Sequence, residues 1–340
     1  VKRSLAFLAY GFVALATAAQ ARLELAWPTP NTAYFDGKPI EEYIQPTASG
    51  EPESGLFGCV RSGGNQFHEG LDLKPVAARS RGEPTDDIYA AMDGVVRHIA
   101  TKAGQSSYGR YIVIEHPGAT PACYTLYAHL SAVRAGLKVG DTVKAGETIA
   151  TMGHTAGGYT IPRDRAHLHF EIGLMATRSF ETWYGRQQFG SPNLHREWNG
   201  MNLMGFDPRD FFDRYRAGRA DDIGDYLAAL PVAVKVRVVT TRTPDFVERY
   251  PSLVKSPLPP GTPVAGWEID CYWTGMPLAL RPLGAVDLFG QRAGTVQIVE
   301  TNREEVVGHR AISLLRGRGA VQTPGKDLLD VLTKLFGPLK

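Results

Sequence analysis

Cysteine is scarce in this chain. Its 340 residues include three, Cys59, Cys123 and Cys271, and none is part of a CxxC pair. Such spacing excludes a cysteine-ligated structural zinc, and the odd count makes no disulfide framework, so no disulfide is predicted. Net charge is lacking too: 37 Lys and Arg face 35 Asp and Glu, a formal +2, which leaves no basic field for nucleic acid. Internal repeats and low-complexity tracts are absent, so solenoid and fibrous architectures drop out. Glycine (37) and proline (23) are abundant instead. Together they make about 18% of the chain against roughly 12% in average usage, which implies many turns and short strands and excludes an all-helical bundle.

The first residues have the order of an export signal. Lys2 and Arg3 precede an apolar stretch from Leu5 to Ala18, and Ala19-Gln20-Ala21 is a small-x-small site. The stretch is shorter than the roughly 18 residues of a spanning helix, so residues 1–21 are predicted to be a cleaved signal peptide that leaves no stable membrane anchor. Export to the periplasm or the outside of a bacterium follows as the expected location. Removing Lys2 and Arg3 balances the remaining charges.

Beyond the signal the chain divides by texture. Residues 22–50 are Pro- and Thr-rich and are expected as an extended lead-in on the surface. Residues 51–175 alternate β-branched and aromatic runs with glycine turns, as in Gly94 to Ile99, Tyr111 to Glu115 and Cys123 to Tyr127, which predicts an antiparallel β domain with Asp93-Gly94 as a hairpin turn. Residues 176–230 mix aromatics with charges and predict irregular structure and short helices, one starting at Asp207-Pro208, where Asp caps and Pro takes the first helical position. Residues 231–340 return to alternating strands and end in a helical stripe of Leu328, Leu329, Leu332, Leu335 and Phe336, a small α+β accessory domain.

Chemistry concentrates in the histidines. His167 and His169 alternate with apolar residues in Ala166-His167-Leu168-His169-Phe170-Glu171. On a strand they share a face, roughly 7 Å apart at the backbone, so their rings can converge. His68 and Asp72 would stand roughly 13 Å apart on a straight strand, so the chain must turn between them, and Gly70 is placed to allow it. Two neutral imidazoles and a carboxylate, with a fourth position for water, are a catalytic rather than a structural zinc pattern, and such an ion activates water for amide hydrolysis.

Several motifs stand in a characteristic order: HxxxD at His68 to Asp72, Ala91 to Val96, Tyr108-Gly109 ahead of Tyr111 to His116, Tyr127-Ala128-His129-Leu130-Ser131, the Gly140-Asp141 and Ala145-Gly146 turns, and HxHFE at His167 to Glu171. On these the stretch from about Gly55 to Gly173 strongly resembles the lysostaphin/LytM-type zinc metallo-endopeptidases, which cut the peptide cross-links of bacterial peptidoglycan. The resemblance implies a mainly β fold with an open groove. It makes His68, Asp72 and His169 the ligands of one Zn2+, and His129 and His167 the catalytic pair beside it. The implied partner is peptidoglycan peptide; the alternatives are a catalytically silent wall-binding regulator and a secreted protease acting on proteins. Glu171 is left either supporting the ligands or lying at the core edge. His116 is expected to be structural, and His98, His154, His195 and His309 to be surface or satisfied histidines. Thr155 to Ala166 departs from the family pattern by inserting Tyr159 and Arg163-Asp164-Arg165, which would reshape one groove wall.

Overall fold

The computed structural model describes residues 22–77, 83–288, 290–317 and 322–339. The expected signal peptide, residues 1–21, lies outside the described residues. The protein is mainly β and antiparallel. Its largest sheet runs, in spatial order, Leu203–Phe206, Leu168–Met175, Cys123–Ala128, Tyr111–His116, Gly94–Ala100 and Thr142–Val143, and Leu71–Leu73 also pairs with Leu168–Met175. The Leu168–Met175 strand is buried along its whole length. It is therefore packed on both faces, and it carries His169 and Glu171.

Asp93-Gly94 does not form the expected hairpin. The strand before it, Asp87–Tyr89, pairs with Thr148–Thr151 in a separate three-stranded sheet, so the dipeptide links two sheets. Gly94 is required because a Cβ there would meet the Glu115 carbonyl oxygen at 2.6 Å. The expected helix after Asp207 spans Pro208–Arg216, and the Asp207 carboxylate accepts from the amides of Arg209 and Asp210.

Residues 22–50 are a surface lead-in only in part, with several side chains in the core. Trp27, Tyr34, Tyr43 and Ile44 are buried, Ile44 completely, and Trp27 stacks on Tyr34 with centroids 4.5 Å apart. The Gln45 amide donates to the Asp72 carbonyl at 2.8 Å, and Ile44 bridges Leu73. Burying these large side chains stabilises the fold by about 1.5–3 kcal/mol each, which explains why so Pro-rich a segment stays docked.

Towards the C-terminus, Pro277–Leu283, Gly266–Cys271, Val234–Val239 and Val296–Thr301 form a four-stranded antiparallel sheet, and the helix Lys326–Phe336 buries Leu328, Val331, Leu332, Leu335 and Phe336. One buried apolar cluster runs from Trp27 through Phe170 to Phe336, joining this sheet to the rest. Trp273 packs edge-on against Phe57 and Phe67, both at 5.6 Å, and so braces the segment that leads into His68. Cys59, Cys123 and Cys271 are free thiols, and no described helix is long and apolar enough to cross a membrane.

Candidate metal centre and cleft

Strand register assembles the site. In the antiparallel pairing of Leu168–Met175 with Leu71–Leu73, His169 lies opposite Asp72; on its other side His169 lies opposite Ala128, which places His129 one residue further on. His68 ends the short strand Gln66–His68, and the chain turns at Glu69-Gly70 before Leu71. Gly70 does allow that path, and the reason is space: a Cβ would lie 2.3 Å from the Phe170 carbonyl oxygen. His167 sits just ahead of the strand and bridges Gly153.

His129 has φ +62°, in the left-handed region that a non-glycine residue occupies at a cost of about 1–3 kcal/mol. Its surroundings hold it there. The His129 amide donates to the Tyr108 carbonyl at 2.9 Å, and Gly153 leaves no room for a Cβ, which would lie 2.7 Å from the His129 carbonyl oxygen.

Three inward atoms form a near-equilateral triangle. His68 Nε2 is 3.0 Å from His169 Nδ1, His169 Nδ1 is 3.1 Å from Asp72 Oδ1, and His68 Nε2 is 3.1 Å from Asp72 Oδ1. An ion with tetrahedral bonds of 2.0–2.2 Å needs edges of about 3.3–3.6 Å, so a small relaxation seats one. The outer hydrogen bonds set the tautomers, because a carbonyl can only accept. His68 Nδ1 donates to the Leu56 carbonyl at 2.7 Å, His129 Nδ1 to Thr155 at 2.8 Å and His167 Nδ1 to Arg165 at 2.7 Å. His169 Nε2 donates to Glu171 Oε1 at 3.0 Å. Each of the four rings thus turns its other nitrogen, free to offer a lone pair, away from its backbone or carboxylate anchor. Convergent lone pairs beside a carboxylate repel one another unless a cation lies between them, so the donor set fits a metal ion.

The electrostatics agree. Burial works against protonation of His169, but hydrogen bonds to Asp72 and Glu171 outweigh it and lift its pKa to about 9. A proton on His169 Nδ1 meets the same demand for positive charge that a metal ion would, so proton and ion compete for that nitrogen. Burial alone would raise the pKa of Asp72, yet the facing His68 and His167 and the hydrogen bond from His169 hold it well below the usual carboxylate range. Burial pushes His129 and His167 below their ordinary value, so both stay neutral and can accept a proton.

Glu171, left open by sequence, is buried and supports His169. Its Oε1 also accepts from Tyr108 Oη at 2.6 Å and its Oε2 from Tyr124 Oη at 2.9 Å. Arg61 was not foreseen. Its Nη2 donates to Asp72 Oδ2 at 2.5 Å and its Nε to the Ser54 carbonyl at 3.0 Å, so it restrains the oxygen that the triangle does not use. Only the pairing of Gly58–Arg61 with Gln66–His68, with an irregularity between Gly58 and Arg61, brings it there.

The site lies in a cleft of about 730 Å³ whose lining includes Arg61, Phe67, Tyr108, Tyr159, Arg165 and Met201. Tyr159 and Arg165, from the inserted stretch, do form a wall, and Tyr159 Oη donates to the Ser107 carbonyl at 3.2 Å. His195 is buried and also lines the cleft, bonded to the Gln105 carbonyl at 3.0 Å and facing His98 at 3.3 Å. His116 is buried between the Asp93 carbonyl and Thr125 Oγ1. Among the described residues, His68, Asp72 and His169 are the one group of three or more potential ligands arranged to hold a metal.

Residues 66–179 match the family model for peptidase family M23. That third of the chain is similar to peptidase family M23. Over 105 residues it is 38% identical to an uncharacterized metalloprotease of Haemophilus influenzae, a match that covers 31% of this chain and 18% of that protein. The chain thus spans under a fifth of this curated relative's length. A zinc-containing peptidase from Vibrio cholerae is 26% identical, with 45% of this chain and 37% of that chain covered and a TM-score of 0.30. The catalytic domain of the antimicrobial peptidase lysostaphin from Staphylococcus simulans is 19% identical, with 51% and 95% covered and a TM-score of 0.31. The M23 segment contains all five residues built into the cleft: His68, Asp72, His129, His167 and His169.

Proposed function

We propose that this chain is an exported zinc metallo-endopeptidase that hydrolyses a peptide bond in the cross-links of bacterial peptidoglycan. The observation that carries the reading is the triangle of His68 Nε2, Asp72 Oδ1 and His169 Nδ1, with edges of 3.0–3.1 Å inside an M23 segment. In this reading residues 51–175 are the peptidase unit, residues 176–230 an extension and residues 231–340 an accessory unit.

His68, Asp72 and His169 would hold the ion. When bound, a zinc ion lowers the pKa of water towards 7 and polarises an amide carbonyl. The chain's own residues supply the proton handling. His129 and His167, neutral because they are buried and anchored through Nδ1, take a proton at Nε2 from the attacking water and return it to the leaving amine. Their anchoring carbonyls, Thr155 and Arg165, stabilise the imidazolium formed in between. Glu171 and Arg61 fix the rotamers of His169 and Asp72, so the geometry is set before substrate arrives. The complete donor set speaks against a silent wall-binding role.

The test is mass spectrometry of purified peptidoglycan incubated with the chain from Arg22 onward, with and without a chelator and after zinc is restored. New peptide ends that vanish with chelator, return with zinc and are missing with His169→Ala are expected. A zinc-loaded protein that cuts casein but not the wall would shift the reading to a protein-directed protease, and full activity in His169→Ala would sink it.

A further inference from the structure

We infer that Arg165 is a specificity residue that binds a carboxylate on the substrate residue next to the scissile amide. The inference rests on the proposed peptidase function and narrows its substrate class to peptides with a free carboxylate there.

Three arginines stand in or beside this part of the cleft, and two are committed. Arg61 donates to Asp72 and to the Ser54 carbonyl, and Arg163 pairs with Glu83 at 3.0 Å. Arg165 lines the cleft half-buried, and its guanidinium has no ion pair or hydrogen bond among the described residues. A guanidinium held partly out of water without an anion is unfavourable. Such an unpaired charge on the cleft wall is available to a carboxylate that arrives with a ligand.

The backbone at Arg165 is fixed as a recognition element requires. Arg163–Arg165 is a single 3-10 turn in which the Arg165 amide donates to the Pro162 carbonyl at 3.0 Å. The Arg165 carbonyl accepts His167 Nδ1 at 2.7 Å, and His167 Nε2 is 3.4 Å from Asp72 Oδ1. Arg165 therefore stands on the cleft wall two residues ahead of His167 and is tied to that ring through its own carbonyl. Its planar fork suits a carboxylate held by two parallel hydrogen bonds. Glu69, exposed in the cleft lining, discourages a carboxylate elsewhere along the groove.

The experiment uses two synthetic wall-type peptides that differ only in the residue after the scissile amide, which carries a free carboxylate in one and a carboxamide in the other. Binding to the zinc-loaded chain is measured by calorimetry and hydrolysis by mass spectrometry. The acid should bind about 10- to 100-fold more tightly than the amide. Arg165→Gln should erase that preference, Arg165→Lys should restore part of it, and Arg163→Gln should keep it. Equal binding of the two peptides by the parent chain, or an intact preference in a folded Arg165→Gln, overturns the inference. Binding preference without hydrolysis of either peptide would support Arg165 while removing the peptidase reading.

Discussion

Glu171 and His169 lie two residues apart on one strand and meet side chain to side chain, with His169 Nε2 3.0 Å from Glu171 Oε1. The contact sends the ring's proton outward and leaves Nδ1 to face Asp72. Tyr108 and Tyr124 donate to the same carboxylate, one to each oxygen, so its rotamer is fixed. Glu171→Gln should therefore lower zinc affinity by about 10- to 100-fold with the fold intact, measured by competition against a chromogenic chelator. Unchanged affinity would show that His169 needs no such support.

Gly70 is set by a close approach to the strand that carries His169. A Cβ 2.3 Å from the Phe170 carbonyl oxygen would push apart the segments bearing His68 and His169. Gly70→Ala should lower both thermal stability and zinc content. A variant with normal zinc and normal melting would contradict the packing described.

Removal of residues 22–45 should destabilise the protein rather than activate it, because Trp27, Tyr34, Tyr43 and Ile44 belong to the core. Ile44→Ala alone should cost about 2–5 kcal/mol in denaturant unfolding. A truncated chain that melts normally and works faster would mean the segment acts as a cover.

Acid should weaken the fold partly through His116. Burial lowers its pKa to about 4, so the unfolded chain binds the proton first. Its contribution is complete above about pH 6.5, declines as the pH falls and is gone near pH 4, a change of up to about 3 kcal/mol. Urea titrations at pH 7 and pH 4.5 should show a smaller loss in His116→Gln than in the parent chain; equal losses would place the acid sensitivity elsewhere.

The grouping of His68, Asp72 and His169 came from the family resemblance, whereas the local patterns of the chain were sufficient for many of its strands and for the Asp207 cap, because alternation and capping act over a few residues. The C-terminal helical stripe was legible for the same reason, with Val331 buried where Leu329 is only half-buried. Long-range relations were not legible. Arg61 reaches Asp72 only through an irregular hairpin, Tyr108 meets Glu171 across 63 positions, and His195 enters the cleft from the extension. Residues 22–50 read as a surface strap because a Pro-rich segment shows no periodicity, whereas the burial of several of their side chains depends on a hydrophobic groove built by distant strands. Periodicity reports which face of an element is apolar; which other element covers that face is decided by sheet register, and register is a property of the assembled chain.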